Sequence, residues 1–205
     1  MDDEVKPAGR IVAGLDLWAE WPSATQRRIV AAALESFAER GFHGTSLKHI
    51  AQGSGLSTAA LYVHFASKEE LLFALSRRGH ALALELVREA ATVSLDVLVR
   101  AFTLWHAEHR TIARVVQYEQ GALTEAHRAE VAELRRETER VVRDLIERGV
   151  AEGTLTAPDV RGAAAAVLSL GIDVARWYTP GAPWTPQALA VLYADLAARM
   201  LTAQR

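Results

Sequence analysis

The sequence predicts an all-α fold, and three observations lead there. Apolar residues recur at the three-to-four-residue spacing of a buried helix face in one segment after another. No stretch alternates apolar and polar residues for long enough to make a strand. Between the helical stretches stand Ser and Thr residues suited to capping helix starts, and Gly or Pro residues that stop helices.

Taken in order, residues 1–22 carry five acidic residues against two basic ones. Their stretch IVAGLDLWAEWP reads either as a short helix docked on the rest of the chain or as a disordered arm. From Ser23 to Arg40, Ile29, Ala33 and Phe37 fall on one face with Val30 and Leu34 beside them, and Gly41 follows as a C-cap. Thr45 or Ser46 caps a short helix through about Gln52, and Ser57 caps another through about Val63. Ser67 opens a longer helix, with Glu70 three residues on in the pattern of a capping box. Farther along, Val131, Leu134, Val141, Leu145 and Ile146 stripe a helix from about Glu125 to Arg148, which Gly149 and Gly153 bring to an end. Pro158 starts another helix near its first turn, TPGAPWTP interrupts it, and a final helix runs from about Pro186 to Leu201.

Composition narrows the function classes. At 205 residues, half of them hydrophobic, the chain can bury a sizeable core. It has no cysteine, which excludes disulfides and thiolate metal sites and fits a reducing compartment. The acidic start MDDEVKPAGR is not the basic lead of a signal peptide. The most apolar window, Gly162 to Ile172, is too short to span a bilayer and ends at Asp173, so a cytoplasmic protein without a membrane partner is expected. The formal net charge of −2 is unevenly spread: residues 23–79 hold seven Lys and Arg against four acids, whereas residues 80–205 hold 14 Arg against 16 acids. A mildly basic segment on a mildly acidic body permits phosphate binding by one end only.

The run GSGLSTAALYVHF at Gly53 to Phe65 offers two chemistries. Gly55-Leu56-Ser57-Thr58-Ala59 is close to the turn that exposes a serine nucleophile, but that turn needs a buried strand before the serine. Here the preceding SLKHIAQGSGL places Leu47, Ile50 and Ala51 at helical spacing, so the strand is missing. A helix-turn-helix asks instead for a small residue where two helices cross, supplied by Ala51, and for a turn residue tolerant of positive φ, supplied by Gly55. It also asks for apolar anchors, and Ile50, Leu56, Leu61 and Phe65 are spaced for that role. The second helix then shows Ser57, Thr58, Ala59 and Tyr62 outward, small and hydroxyl side chains that let a helix approach base edges.

With these residues in view, the segment from about Arg27 to Leu75, with GFHGTSLKHIAQGSGLSTAALYVHFASKEELLFAL as its signature, resembles the N-terminal DNA-binding domain of TetR-family transcriptional regulators. The resemblance implies a three-helix N-terminal helix-turn-helix domain over 23–79, preceded by the extension 1–22 and followed by a helical ligand-binding and dimerisation domain over 80–205. It implies that Thr45 reaches a phosphate, that Ser57, Thr58 and Ala59 begin the recognition helix, that Tyr62 and His64 follow them to the DNA backbone, and that Lys68 adds charge at the start of the fourth helix. The alternative for Tyr62 and His64 is packing of the third helix on the fourth. The chain departs from the family where Ala59 replaces a frequent glycine and Val63 a frequent aromatic, so its operator does not follow by analogy.

The same resemblance implies that the C-terminal helices form a homodimer and enclose an inducer pocket. Gly162, Ala163, Ala166 and Gly171 allow close helix approach, and Leu189, Leu192, Tyr193, Leu196 and Met200 stripe the last helix, as a four-helix bundle between two subunits or an intramolecular core would require. Phe102, Trp105, His106, His109, Arg114 and Tyr118 crowd aromatic and polar groups into an Ala/Leu-rich region, as ligand contacts or as core. His106 and His109 with His127 could suggest a metal, but no histidine has a glutamate three residues before it, so no helical carboxylate metal site is expected. No cofactor is expected, and with no coherent acid, base or nucleophile set the chain is not read as an enzyme. The tail DVARWYTPGAPWTPQALAVLYADLAARML resembles the C-terminal end of KstR-type TetR regulators, which acyl-CoA thioesters release from DNA. That resemblance implies that Arg176 meets a CoA phosphate and Trp177 lines the acyl or adenine region; the alternative is that Trp177 and Trp184 anchor the loop. The expectation is a repressor released from a palindromic operator by a small hydrophobic or acyl-CoA-type inducer, with an activator or a small-molecule-binding protein on the same fold as the alternatives.

Overall fold

The computed structural model describes residues 2–202, with side chains from Lys6 onward. Among the described residues there are ten α-helices, one 3-10 turn and no strand. Residues 16–81 and 111–134 form one compact unit, and residues 2–15, 82–110 and 135–202 form the other. Two long helices, α5 (Lys68–Ala90) and α8 (Glu125–Ala151), give several residues to each, and a third, α7 (Arg110–Tyr118), gives its first residue to one and the rest to the other.

In the first unit Ser23 caps α2 (Ala24–Gly44), accepting a hydrogen bond from Thr25 N–H at 3.2 Å, and the expected face of Ile29, Val30, Ala33, Leu34 and Phe37 is buried. The helix breaks at Gly41, with φ 68° and ψ 171°, and Phe42 to Gly44 make a further turn before Thr45. Ser46, one of the two caps the sequence offers, starts α3 (Leu47–Ser54): its hydroxyl accepts from His49 N–H at 3.2 Å while His49 Nδ1 accepts from Ser46 N–H at 3.3 Å. A histidine thus completes the reciprocal cap that glutamate usually makes. Ser57 caps the short α4 (Thr58–Tyr62) through Ala60 N–H at 3.1 Å. Ser67 accepts from Glu70 N–H at 3.0 Å, but the Glu70 carboxylate reaches one residue past the expected partner, to Ala66 N–H at 2.6 Å.

Residues 111–134 join this unit through a few definite contacts. Glu69, in the first turn of α5, accepts Thr124 N–H at 2.8 Å just before α8 begins. The same carboxylate lies 2.9 Å from His127 Nδ1, and the His127 ring stacks on Phe73 with 3.7 Å between centroids. Arg114, on α7 (Arg110–Tyr118), donates to the Ala38 carbonyl at 2.7 Å. Ahead of α2, Trp21 is buried, its carbonyl accepts Arg27 Nε at 2.6 Å, and Glu20 pairs with Arg77.

The second unit is organised around α6 (Leu95–Glu108), which Ser94 caps through Val97 N–H at 3.1 Å. Every residue from Val97 to Ala107 is buried, as expected of a helix that is apolar on nearly all sides. It packs against α1 (Asp2–Gly14), α9 (Val160–Trp177) and α10 (Pro186–Met200). The helix α1 lies mostly ahead of the stretch read as either a docked helix or an arm, ending four residues into it, and buries Ala8, Ile11 and Val12. Gly171, expected to serve close approach between subunits, lies against α6 of its own chain: a Cβ there would stand 2.4 Å from Phe102 Cδ1. Thr185 caps α10, and Leu189, Ala190, Ala194 and Ala197 face the interior while Leu192, Leu196 and Met200 remain exposed.

Candidate functional site

The α3–α4 corner has the geometry that the residues Ala51, Gly55 and Ser57 dictate. Ala51 is buried where the helices cross, Gly55 takes the left-handed conformation with φ 68° and ψ 28°, and Leu56 N–H closes the turn on the Ala51 carbonyl at 2.9 Å. A side chain with a Cβ would strain that turn. Behind it Ile50, Leu61 and Phe65 are buried, and Leu56 is half-buried. In front, Ser57 and Ala59 are exposed, Tyr62 is 54% and Val63 81% exposed, and Thr58 and His64 are half-buried. The corner thus presents small, hydroxyl and aromatic groups on a helix held from behind by apolar anchors.

Two residues expected at phosphates are engaged inside the unit. Thr45 is 2% exposed, and its hydroxyl lies within donating distance of the Ser36 and Gly41 carbonyls, at 2.9 and 2.8 Å. Lys68 Nζ donates to the Phe42 and Thr45 carbonyls, both at 2.8 Å, and sits 4.2 Å from the centre of the Phe42 ring. Both side chains donate to backbone carbonyls on either side of the Gly41 break, which holds them inward. The exposed cationic and imidazole groups on α3 are Lys48 and His49, which the sequence reading passed over. The spacing of Ser46 and His49 was the available signal, a cap with histidine where glutamate is looked for.

The residues proposed for a ligand fall in three places. Phe102, Trp105 and His106 are buried together on α6. The Phe102 and His106 rings lie 4.3 Å apart, and Trp105 stacks on His109 at 5.2 Å with 15° between planes. Burial pushes the His106 imidazole down from 6.5 to about 4, against the raising effect of its hydrogen bond to the Phe102 carbonyl and with a smaller lowering contribution from His109. The ring is therefore neutral near pH 7; Nδ1 lies 2.7 Å from that carbonyl and carries the proton, leaving Nε2 as an acceptor. Arg114 and the exposed Tyr118 belong to the other unit. Arg176 is exposed at the end of α9 and donates to both Asp173 oxygens, at 2.6 and 2.9 Å, which holds the Asp173 carboxyl below its ordinary value. Trp177 packs edge-on to Tyr178 and Trp184 beside a core of Ala107, Val174 and Leu189.

Among the described residues no group of three His, Asp or Glu is placed to hold a metal, and no helix is long and apolar enough to cross a membrane. His127, considered with His106 and His109 as a ligand set, is paired with Glu69.

Known proteins share both the corner and the helical body. Residues 29–75 match the family described as bacterial regulatory proteins, tetR family, and residues 89–201 match the Tetracyclin repressor-like C-terminal domain. The transcriptional repressor KstR2 of Mycobacterium tuberculosis is 29% identical over 87% of this chain and 94% of its own. A crystal structure of a tetR-family regulatory protein from Rhodococcus RHA1 is 38% identical, covers 89% of this chain and 100% of its own, and superposes with a TM-score of 0.84. A structure of AibR in complex with isovaleryl coenzyme A and operator DNA is 23% identical, covers 86% of this chain and 97% of its own, and shares the fold with a TM-score of 0.76. With an N-terminal helix-turn-helix and a C-terminal domain each matched in place, the chain is a transcriptional regulator, not an enzyme, and belongs to the TetR family.

Proposed function

We propose that the protein is a cytoplasmic, homodimeric repressor that leaves a palindromic operator when a small hydrophobic or acyl-CoA-type inducer binds its C-terminal domain. The observation that carries the DNA-reading part is the α4 surface: Ser57, Thr58 and Ala59 at its start reach the bases, and Tyr62 and His64 reach the backbone, in successive major grooves. Thr45 and Lys68 contribute by fixing the α2–α3 corner, while Lys48 and His49 offer exposed groups to phosphates.

For the dimer, the support is the exposed row Leu192, Leu196 and Met200, each four residues from the next on α10. A monomer would leave that row in water, and a two-fold pairing of α9 and α10 buries it. For the inducer, the support is the buried aromatic and imidazole group of Phe102, Trp105 and His106, with His109 beside it. Arg114 and Tyr118, which the family resemblance also implies for a ligand, lie in the other unit. Arg176 with Trp177 supplies a cation and a ring for a CoA moiety. The acyl-CoA class rests on the KstR-type tail; AibR illustrates that one protein of this fold takes both an acyl-CoA and operator DNA.

Inducer and operator are linked reciprocally: each weakens the other's binding by the same factor. The test is fluorescence anisotropy of the chain with DNA from upstream of its own gene, titrated with acyl-CoAs of rising length. Expected is tight binding that an acyl-CoA reverses. Binding no tighter than to unrelated DNA would overturn the repressor reading, and indifference to every acyl-CoA would overturn the inducer class.

A further inference from the structure

The second unit also contains an open cleft of about 460 Å³, within the range of small-molecule sites, about 300–1,000 Å³. It lies among the α5–α6 turn, the end of α8 and the end of α10, and none of the ligand residues considered above lines it. Its apolar wall comes from Val99, Leu145, Leu155, Ala194 and Ala198. Most of its polar groups have work already. Ser94 caps α6, Thr154 donates to the Gly149 carbonyl, Thr202 donates to the Ala198 carbonyl, and Asp96 accepts Arg100 Nε at 2.7 Å. That leaves Arg148 and Glu152, which line the cleft one helical turn apart and make no ion pair among the described residues.

The cleft faces away from the exposed apolar row. Ala194 and Ala198 stand two residues along from Leu192 and Leu196, roughly 200° around a helix of 3.6 residues per turn. Pairing of two chains through Leu192, Leu196 and Met200 therefore leaves the cleft open.

We propose that this cleft is a second ligand site that takes a small apolar carboxylate. Its hydrocarbon part would lie on Val99, Leu145 and Ala194, and its carboxylate would receive the forked N–H groups of Arg148. Glu152 places a like charge beside that carboxylate and so selects for a single negative charge: a ligand with the several negative charges of a CoA ester is disfavoured here. The site is thus separate in place and in chemistry from the one proposed for an acyl-CoA.

Calorimetric titration of the full chain with octanoate tests this, using octanol and octylamine as uncharged and cationic controls. Octanoate is expected to bind once per chain and more tightly than either control. Arg148→Gln should weaken it at least about tenfold, the loss of a charged hydrogen-bond donor. Ala198→Phe, at an exposed position, should weaken it similarly by filling the cleft, and Glu152→Gln should tighten it about threefold by removing the like charge. No binding by the wild-type chain, or octanoate affinity unchanged in Arg148→Gln, would overturn the proposal. Should Ala198→Phe fail to fold, the opposite effects expected of the two surface charge variants still decide it.

Discussion

The α3–α4 corner and α6 use similar residue types for opposite ends. Tyr62, on the corner, is 54% exposed, whereas Trp105, on α6, is 2% exposed. The helix α4 is only five residues long and owes its shape to things outside it: the Ser57 cap, the Gly55 turn and the buried anchors behind. The larger α6 is shaped by what surrounds it on every side, and its polar residues are adapted to burial, His106 by losing its charge. A reading surface keeps its groups available by borrowing stability from neighbours. An enclosed helix gains stability from its own side chains and keeps them out of water.

That contrast can be broken most forcefully at α6. Gly171→Leu forces a side chain into the position of the Phe102 ring, and thermal unfolding should show a loss of about 3 kcal/mol. His106 should make stability depend on pH to a similar extent. Its folded-state value is near 4 and its ordinary value 6.5, so as pH falls the unfolded chain takes up the proton first. The stability present above pH 6.5 is lost between 6.5 and 4, on the order of 3 kcal/mol in all, and His106→Gln should flatten that part of the curve.

At the corner the expected losses are smaller in stability and larger in function. Gly55→Val puts a β-branched residue in the left-handed region, costing about 1–2 kcal/mol, and anisotropy should show operator binding largely abolished. Lys68→Met removes the ammonium that donates to the Phe42 and Thr45 carbonyls, the first of which keeps the Thr45 N–H as a donor, for a loss of about 1 kcal/mol in urea unfolding. Because that ammonium is engaged internally, the salt dependence of DNA binding should stay unchanged; a slope shallower by about one would return Lys68 to a phosphate. The smallest expected effect is that of Thr58→Ala: stability within about 0.5 kcal/mol of wild type, with a changed base preference in a binding-site selection.

The corner was legible because its signals are local. Ser57 caps its helix within three residues of itself, and Gly55 sits in the turn it makes possible, so spacing alone finds them. Signals that depend on distant partners were not legible. Nothing in the run RTIARVVQY announces that Arg114 will meet Ala38, nor does Gly171 name Phe102 as the ring that needs its missing Cβ. Thr45 and Lys68 have the right chemistry for phosphates; that they turn inward to the carbonyls of Gly41 and Phe42 depends on how the chain folds back at the Gly41 break, which spacing does not show. For the ligand residues, sequence identified an aromatic and imidazole group that α6 does bring together, while Arg114 and Tyr118 belong to the other unit.

Val63 offers a practical consequence. It is 81% exposed at the end of α4, beside Tyr62, and the chain has no cysteine of its own. A cysteine substituted there would be the chain's only thiol, so a single maleimide dye could be attached at the edge proposed to face the operator without first removing any native residue. Emission from that dye would report arrival on and departure from DNA in real time, turning one solvent-facing valine into an optical window on the regulator's cycle.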